Sequence, residues 1–293
     1  MATGTVATGA AATGTVARIR RYPVKSMLGE DLAAGVFGGK GLAGDRVFAV
    51  LDDAGAVGSA KHPRKWGPLL SCRSTVGADG TVRVRVASPD GAEYIAGSDE
   101  LDDRLSRLLG RPVVVSDKPP ENGLLERAVP EYEGGSPRAA RSAAVTDATG
   151  TAITSGHVAA GTFFDFGPVH VVTTASLEAL RRRHPDHDFD ARRFRPNVVI
   201  DTGARDGFPE DEWQGRRIRI GDAVLQVMVP TPRCVIPTLA HDELPADPGL
   251  MRAAAREHRI PVFDMGPLTC VGVYLQIVEP GVVRLGDRVA VEG

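Results

Sequence analysis

The stretch Gly39-Lys40-Gly41-Leu42-Ala43-Gly44-Asp45-Arg46-Val47-Phe48-Ala49-Val50-Leu51 separates two architectures. Its first six residues match G-x-G-x-x-G, the pattern by which a dinucleotide-binding fold brings a helix N-terminus to a pyrophosphate. That use needs a strand before the glycines and a helix after them. Here the glycines run into Arg46 to Asp52, a short apolar segment that ends in the turn residues Asp53-Ala54-Gly55. Such a segment reads as a strand. The glycines are therefore expected to form a connector between strands.

Working outward, strand signals dominate. Val16 to Val24 mixes apolar and basic residues, and Thr81 to Ala87 alternates strictly, as a strand with one face in water does. Further strands are expected at Pro112 to Ser116, Val169 to Thr173, Val198 to Asp201, Arg216 to Ile220, Ala223 to Val229, Val271 to Val278 and Arg288 to Val291, with Pro280-Gly281 turning between the last two. Helices are expected at Ser98 to Leu109, capped by Ser98 and stopped by Gly110, at Thr174 to Arg183, and at Asp247 to His258. No regular βαβ alternation appears. The expected class is α+β, mostly β and barrel-like, with peripheral helices.

Residues Ser116 to Ser142 are rich in Pro, Gly and Glu, which places a domain boundary near residue 130. The expected division is a tail over 1–15, a first domain over 16–130 and a second over 131–293. The tail contains ATGTVA twice and is expected to be mobile up to about Thr15. It lacks the basic n-region of a secretory signal. No apolar run approaches the ~18 to 20 residues that span a bilayer. The 35 basic residues are balanced by 37 acidic ones, which argues against a generic nucleic-acid binder.

The three cysteines, Cys72, Cys234 and Cys270, are widely spaced and odd in number. They do not form a disulfide framework, and a cytoplasmic protein is expected. With no CxxC pair, metal chemistry would rest on one thiolate, on histidines, or on a cofactor with its own ligands. Arg181 to Asp190 gathers His184, Asp186, His187 and Asp188, either as a metal site or as a polar loop broken by Pro185. No GxSxG elbow or HExxH pair is present, against hydrolases of those kinds.

Thr231-Pro232-Arg233-Cys234 follows the apolar strand from Ala223. The adjacent arginine favours the thiolate, and Pro230, Pro232 and Pro237 stiffen what is expected to be a Pro-rich turn. A soft thiolate on a rigid loop suits a soft or high-valent metal. A buried structural cysteine fits the spacing as well.

Five separated segments carry a family resemblance. They are Tyr22-Pro23-Val24-Lys25-Ser26, Gly44-Asp45-Arg46, Thr173-Thr174-Ala175-Ser176-Leu177, Phe194-Arg195-Pro196-Asn197 with the apolar Val198-Val199-Ile200, and Arg233-Cys234. In order and rough spacing they resemble the MOSC family, over about residue 16 to the C-terminus. FRPN and RC are the most specific pair. The resemblance implies an N-terminal MOSC-type β-barrel domain followed by a β-barrel-like MOSC domain.

It also implies a molybdenum–molybdopterin cofactor whose dithiolene supplies two sulfurs and Cys234 the third. Lys25, Ser26, Arg46, Thr173, Thr174, Arg195, Asn197, Arg233 and Thr238 are the implied cofactor-binding residues. Arg offers planar paired donors to a phosphate, Lys a point charge, and Asn both a donor and an acceptor for a pterin edge. The implied activity is reduction of N-hydroxylated or N-oxide substrates by oxygen-atom transfer. Electrons would come from a separate ferredoxin-like or haem protein and its reductase. The loop after Cys234 departs from the family's reductases. Val235-Ile236-Pro237-Thr238-Leu239 keeps Thr238 but puts Pro237 where a Thr is usual, and the following Val-Asp pair is lost. A sulfur carrier with a Cys234 persulfide and a non-catalytic cofactor-binding or delivery protein therefore stand as alternatives. Cys270 is either a second reactive sulfur or a small core residue.

Overall fold

The computed structural model describes residues 12–87 and 91–292. Its centre is a closed barrel of seven strands, numbered here in chain order: β1 Ala12–Arg21, β2 Val169–Thr173, β3 Val198–Asp201, β4 Arg217–Ile220, β5 Ala223–Pro232, β6 Pro267–Glu279 and β7 Arg288–Val291. Around the ring the order is β2, β3, β1, β7, β4, β5, β6, and β6 pairs back onto β2. Only β2 and β3 run parallel. Closure leaves no edge exposed within the ring. Residues two apart fill the interior: Val169 with Val171, Val198 with Ile200, Ile218 with Ile220, Ala223 with Leu225 and Val227, and Val273 with Leu275. That period of two is what lets one face of each strand meet the barrel core.

β1 alters the expected organisation in two ways. It starts at Ala12, so Ala12 to Thr15 belong to a paired strand and not to a mobile tail; residues 1–11 lie outside those described. Val16 is buried in the barrel core, and Thr15 pairs with both Asp201 and Arg288. Gly14 fits because a Cβ there would lie 2.2 Å from the Asp201 carbonyl oxygen. Secondly, this N-terminal strand closes a ring otherwise made from residues 169–291. The expected boundary near 130 also runs through a small sheet, in which Leu124–Ala128 pairs with Ala152–His157.

Residues between β1 and β2 build a second core. The helix α1, Asp99–Leu109, is capped by the Ser98 hydroxyl accepting from the Leu101 N–H, and it stops at Gly110 in the left-handed conformation. Its buried Leu101, Leu105 and Leu109 pack on Val82, Val84, Val113, Val115 and Trp66. Against the barrel's outer face lie α2, Thr174–Arg183, and α3, Leu250–Glu257, whose apolar faces meet Val172 and Val271. The glycine-rich stretch passes through turns and the short strand Gly41–Leu42 into Ala49–Asp52, with no helix between. No described helix is long and apolar enough to cross a membrane.

Candidate functional site

Two chain segments, Tyr22 to Ser26 directly after β1 and Asp45 to Phe48, are zipped together by backbone bonds. The Lys25 N–H donates to Phe48 O at 2.9 Å, Phe48 N–H to Pro23 O at 3.1 Å, and Arg46 N–H to Tyr22 O at 2.8 Å. Asp45, buried, accepts from the Tyr22 N–H at 2.7 Å and pairs with Arg46. These bonds place Lys25, Ser26 and Arg46 side by side. The Ser26 hydroxyl accepts from the Ala60 N–H at 3.0 Å.

A third segment arrives from the short helix Ala191–Phe194, which ends because Arg195 takes a left-handed backbone with φ 55°. Asp190 caps its start. The fourth is the end of β5. Pro230, Thr231 and Pro232 were expected in a turn, yet they continue the strand, which keeps contact with β6 through irregular register at Val227/Val229 and Pro230/Pro232. Prolines, lacking an N–H, are tolerated at such interruptions. The Arg233 N–H then donates to Thr269 O at 2.9 Å, and its guanidinium to Phe194 O at 2.9 Å.

Lys25, Ser26, Arg46, Arg195, Arg233 and Cys234 thus line one cleft. Its cavity volume is ≈ 60 Å³, within ≈ 580 Å³ of empty space that extends to an open mouth. Five described non-glycine residues have positive φ, and three of them, Ser26, Arg46 and Arg195, line this cleft. Backbone strain of that kind persists where the surrounding structure over-determines the conformation, and it clusters at functional sites.

The cleft is electropositive. Arg195 is only 8% exposed, its guanidinium lies 4.2 Å from the Tyr22 ring centroid, and neither terminal nitrogen has a hydrogen-bond partner. Burial pulls its pKa down to about 10. Arg46 covers Tyr22 at 5.2 Å. Lys25 donates to Phe163 O at 2.6 Å and Asp165 at 2.7 Å, and burial lowers its pKa to about 8 against the pull of Asp165. Lys61 reaches the other Asp165 oxygen at 2.8 Å. Despite burial, these two lysines hold the Asp165 carboxyl well below the usual range. His170, buried and 3.5 Å from an Arg233 nitrogen, is kept far below the ordinary imidazole value, first by burial and then by that cation.

The cysteines divide clearly. Cys234 is half-buried and faces the cleft. Cys72 and Cys270 are buried, and desolvation pushes their thiols up to about 11 and about 12. Cys270 packs with Val229, Val262 and Leu268 as a core residue.

Other expected site residues have local tasks and are not among those lining the cleft. Asn197, immediately before β3, ties β2 to β1: its side-chain oxygen accepts from the His170 N–H at 3.1 Å and its amide donates to Arg20 O at 3.3 Å. Thr173 caps α2 and donates to buried Glu210 at 2.6 Å. Thr174 bonds Asp201, and Thr238 donates back to Val235 O at 2.7 Å. In the histidine-rich loop, His184 faces Glu257 at 2.8 Å and His187 faces Asp247 at 2.9 Å. No group of His, Cys, Asp and Glu capable of holding a metal is found among the described residues. Sequence reasoning missed Ser59, Lys61, Asp165, His170 and Tyr274 as cleft residues. A signal existed for two of them. Asp165 interrupts an aromatic run, Phe163-Phe164-Asp165-Phe166, and His170 interrupts an apolar strand.

Among known families, the MOSC N-terminal beta barrel domain matches residues 13–110 and the MOSC domain residues 159–290. Mitochondrial amidoxime-reducing component 1 of Mus musculus is 30% identical over 135 residues, 45% of this chain and 38% of that protein. The match thus spans well under two thirds of the relative's length. The YUAD protein of Bacillus subtilis aligns over 95% of this chain and 94% of its own, at 12% identity and TM-score 0.43. YiiM from Geobacillus stearothermophilus aligns over 43% of this chain and 55% of its own, at 19% identity and TM-score 0.31.

Proposed function

Because this chain belongs to the MOSC family, with the MOSC N-terminal beta barrel domain ahead of the MOSC domain, we propose that its cleft binds a molybdenum–molybdopterin cofactor and that it reduces N-hydroxylated or N-oxide substrates by oxygen-atom transfer. The family and the partial likeness to an amidoxime-reducing component support a molybdenum-cofactor-associated role. The observation that carries the finer reading is the pairing of a buried guanidinium whose two terminal nitrogens have no hydrogen-bond partner, Arg195, with a half-buried thiol, Cys234, in one cleft.

The donor set fits such a group. A buried cation with free donors is costly unless an anion completes it, and a phosphate accepts two parallel N–H bonds from a guanidinium. Arg195 would take the phosphate, with Arg46 and Lys25 adding charge. Cys234 would be the protein's thiolate ligand, held by the Arg233 backbone bond to Thr269. When bound, the cofactor supplies the two-electron chemistry of the reaction. The chain's own residues orient it and keep the cleft positive. His170, held neutral, adds no charge there, and Asp165 fixes the two lysine ammonium groups. Electrons would come from a separate ferredoxin-like or haem protein and its reductase.

One observation favours a second reading. The ≈ 60 Å³ cavity suits a small adduct, such as a persulfide on Cys234 in a sulfur carrier. Purification from a host able to make the cofactor, followed by molybdenum and pterin analysis, separates the two. Molybdenum near one per chain, with reduction of N-hydroxylated bases by an artificial electron donor, is the expected result. Metal-free protein carrying sulfane sulfur would favour the carrier.

A further inference from the structure

A line of rings leads out of the cleft. His170 and Tyr274 line it, with centroids 5.5 Å apart. Tyr274 lies 5.8 Å from Phe166, and Phe166 lies 6.1 Å from Phe263. Exposure rises along the line, from buried His170 to Phe166 at 44% and Phe263 at 64%. Met265, also exposed, is two residues beyond Phe263.

The chain fixes this arrangement. The Asp165 side chain is anchored in the cleft by Lys25 and Lys61, and the next residue, Phe166, lies outside the lining with its exposed ring against Tyr274. Phe263 has φ 50°, a left-handed backbone that a bulky residue adopts at a cost. It belongs to the turn between Arg259–Pro261 and β6, where the Val262 N–H donates to Gly266 O and the Met265 N–H to Val262 O.

We infer that Phe166 and Phe263 form a shelf at the cleft mouth that binds the aromatic end of a small substrate whose polar head enters the cleft. This rests on the reading of the cleft as a substrate-reducing site. Two arguments select that occupant. The rings are continuous with the cleft through Tyr274, so a ligand with its head near Cys234 has its apolar end toward the shelf. The patch is also small. A protein partner needs about 20 to 30 residues a side, whereas Phe166, Phe263 and Met265 offer the area of one ring system. Stacked or tilted aromatic contacts each favour a ring over an alkyl group.

Calorimetric titration of the purified protein with benzamidoxime and with acetamidoxime tests the shelf, because the two share a head and differ in the ring. Benzamidoxime is expected to bind roughly tenfold more tightly. The double substitution Phe166→Ala/Phe263→Ala should remove that preference and leave acetamidoxime unchanged. Phe166→Tyr/Phe263→Tyr, which keeps both rings, should retain it. Equal binding of the two ligands to the unaltered protein, or an unchanged preference in the alanine pair, would overturn the inference. So would loss of the preference in the tyrosine pair while its melting curve stays normal. Molybdenum content measured on the same samples reports separately on the cofactor, so failure there is distinguishable from failure of the shelf.

Discussion

Arg195 lies with its guanidinium carbon 4.2 Å from the centroid of the Tyr22 ring, and both of its terminal nitrogens are buried without a hydrogen-bond partner. The ring contact offsets part of the desolvation of the cation, since a π face attracts positive charge. It does not satisfy the donors, which point to an anion. In the cofactor-free protein this residue should therefore cost stability. Arg195→Met is expected to raise unfolding free energy by about 1–3 kcal/mol, read by urea denaturation. The same variant should lose most bound pterin when made in a cofactor-competent host. Lower stability of the cofactor-free variant would show that the guanidinium donors are satisfied in the folded chain without an added anion.

The three thiols should differ in reactivity. Cys234 faces the cleft, whereas burial raises Cys72 to about 11 and Cys270 to about 12. Iodoacetamide at pH 8 should add one label to the cofactor-free folded chain, at Cys234, and three after unfolding, read by intact mass. Cys234→Ser should abolish the native label and lower reductase activity by orders of magnitude. Cys270→Ser and Cys72→Ser should stay within about tenfold in rate, ~1.4 kcal/mol in barrier. A native label on Cys270 would show that Cys234 is not the one reactive thiol and would overturn its assignment.

Much of this was legible in the residues because the signals were local. Val169–Thr173, Thr174–Arg183, Val198–Asp201 and Arg288–Val291 have the bounds expected from pattern alone. The strand after Gly44 was legible too. The membership of β1 in a ring built from the far end of the chain was not, since Thr13-Gly14-Thr15 carries no periodic apolar signal and its partners are about 185 and 275 residues away. Pro230 and Pro232 misled for a related reason: proline argues against a strand unless the register is interrupted there, and that interruption is set by β6. In the site, the motif residues Lys25, Arg46, Arg195 and Cys234 converge as expected. Asn197 sits in an equally specific motif, yet its amide is spent joining β1 and β2, a role visible only once the strands are placed.

Lys25 gives the cleft a pH response. Its pKa is lowered from 10.5 to about 8, first by burial, with Asp165 opposing. The lysine is charged below about 8 in the folded protein and loses that charge above it. Anion binding in the cofactor-free cleft should fall as pH rises from 7 to 9. Sulfate is the probe, because it remains a dianion across this range, and calorimetry is the measurement. Linkage gives the matching stability effect: between about 8 and 10.5 the unfolded chain binds more protons, so this group adds stability as pH rises through that window. Lys25→Met should flatten the pH dependence of sulfate binding. A step that persists in this variant would assign the titration to another group.

The last expectation concerns how closely β6 approaches β2 behind the cleft. Gly272 has φ 82°, and a Cβ there would lie 2.3 Å from the Val171 carbonyl oxygen and 2.7 Å from the His170 Nε2. The first neighbour is backbone and cannot swing away. The second is the imidazole that contacts Arg233, beside Cys234. Gly272→Ala therefore adds a strained backbone conformation to an overpacked barrel wall. The expected loss is about 2–4 kcal/mol, read as a lower urea midpoint with unchanged slope. The displacement should also reach the cleft, because moving His170 frees an Arg233 nitrogen and shifts Cys234. Slower or faster alkylation of Cys234 in Gly272→Ala, under conditions where the variant is still folded, is the local readout. Unchanged stability together with an unchanged alkylation rate would mean that β2 and β6 separate enough to admit a methyl group, and that the wall does not position the thiol.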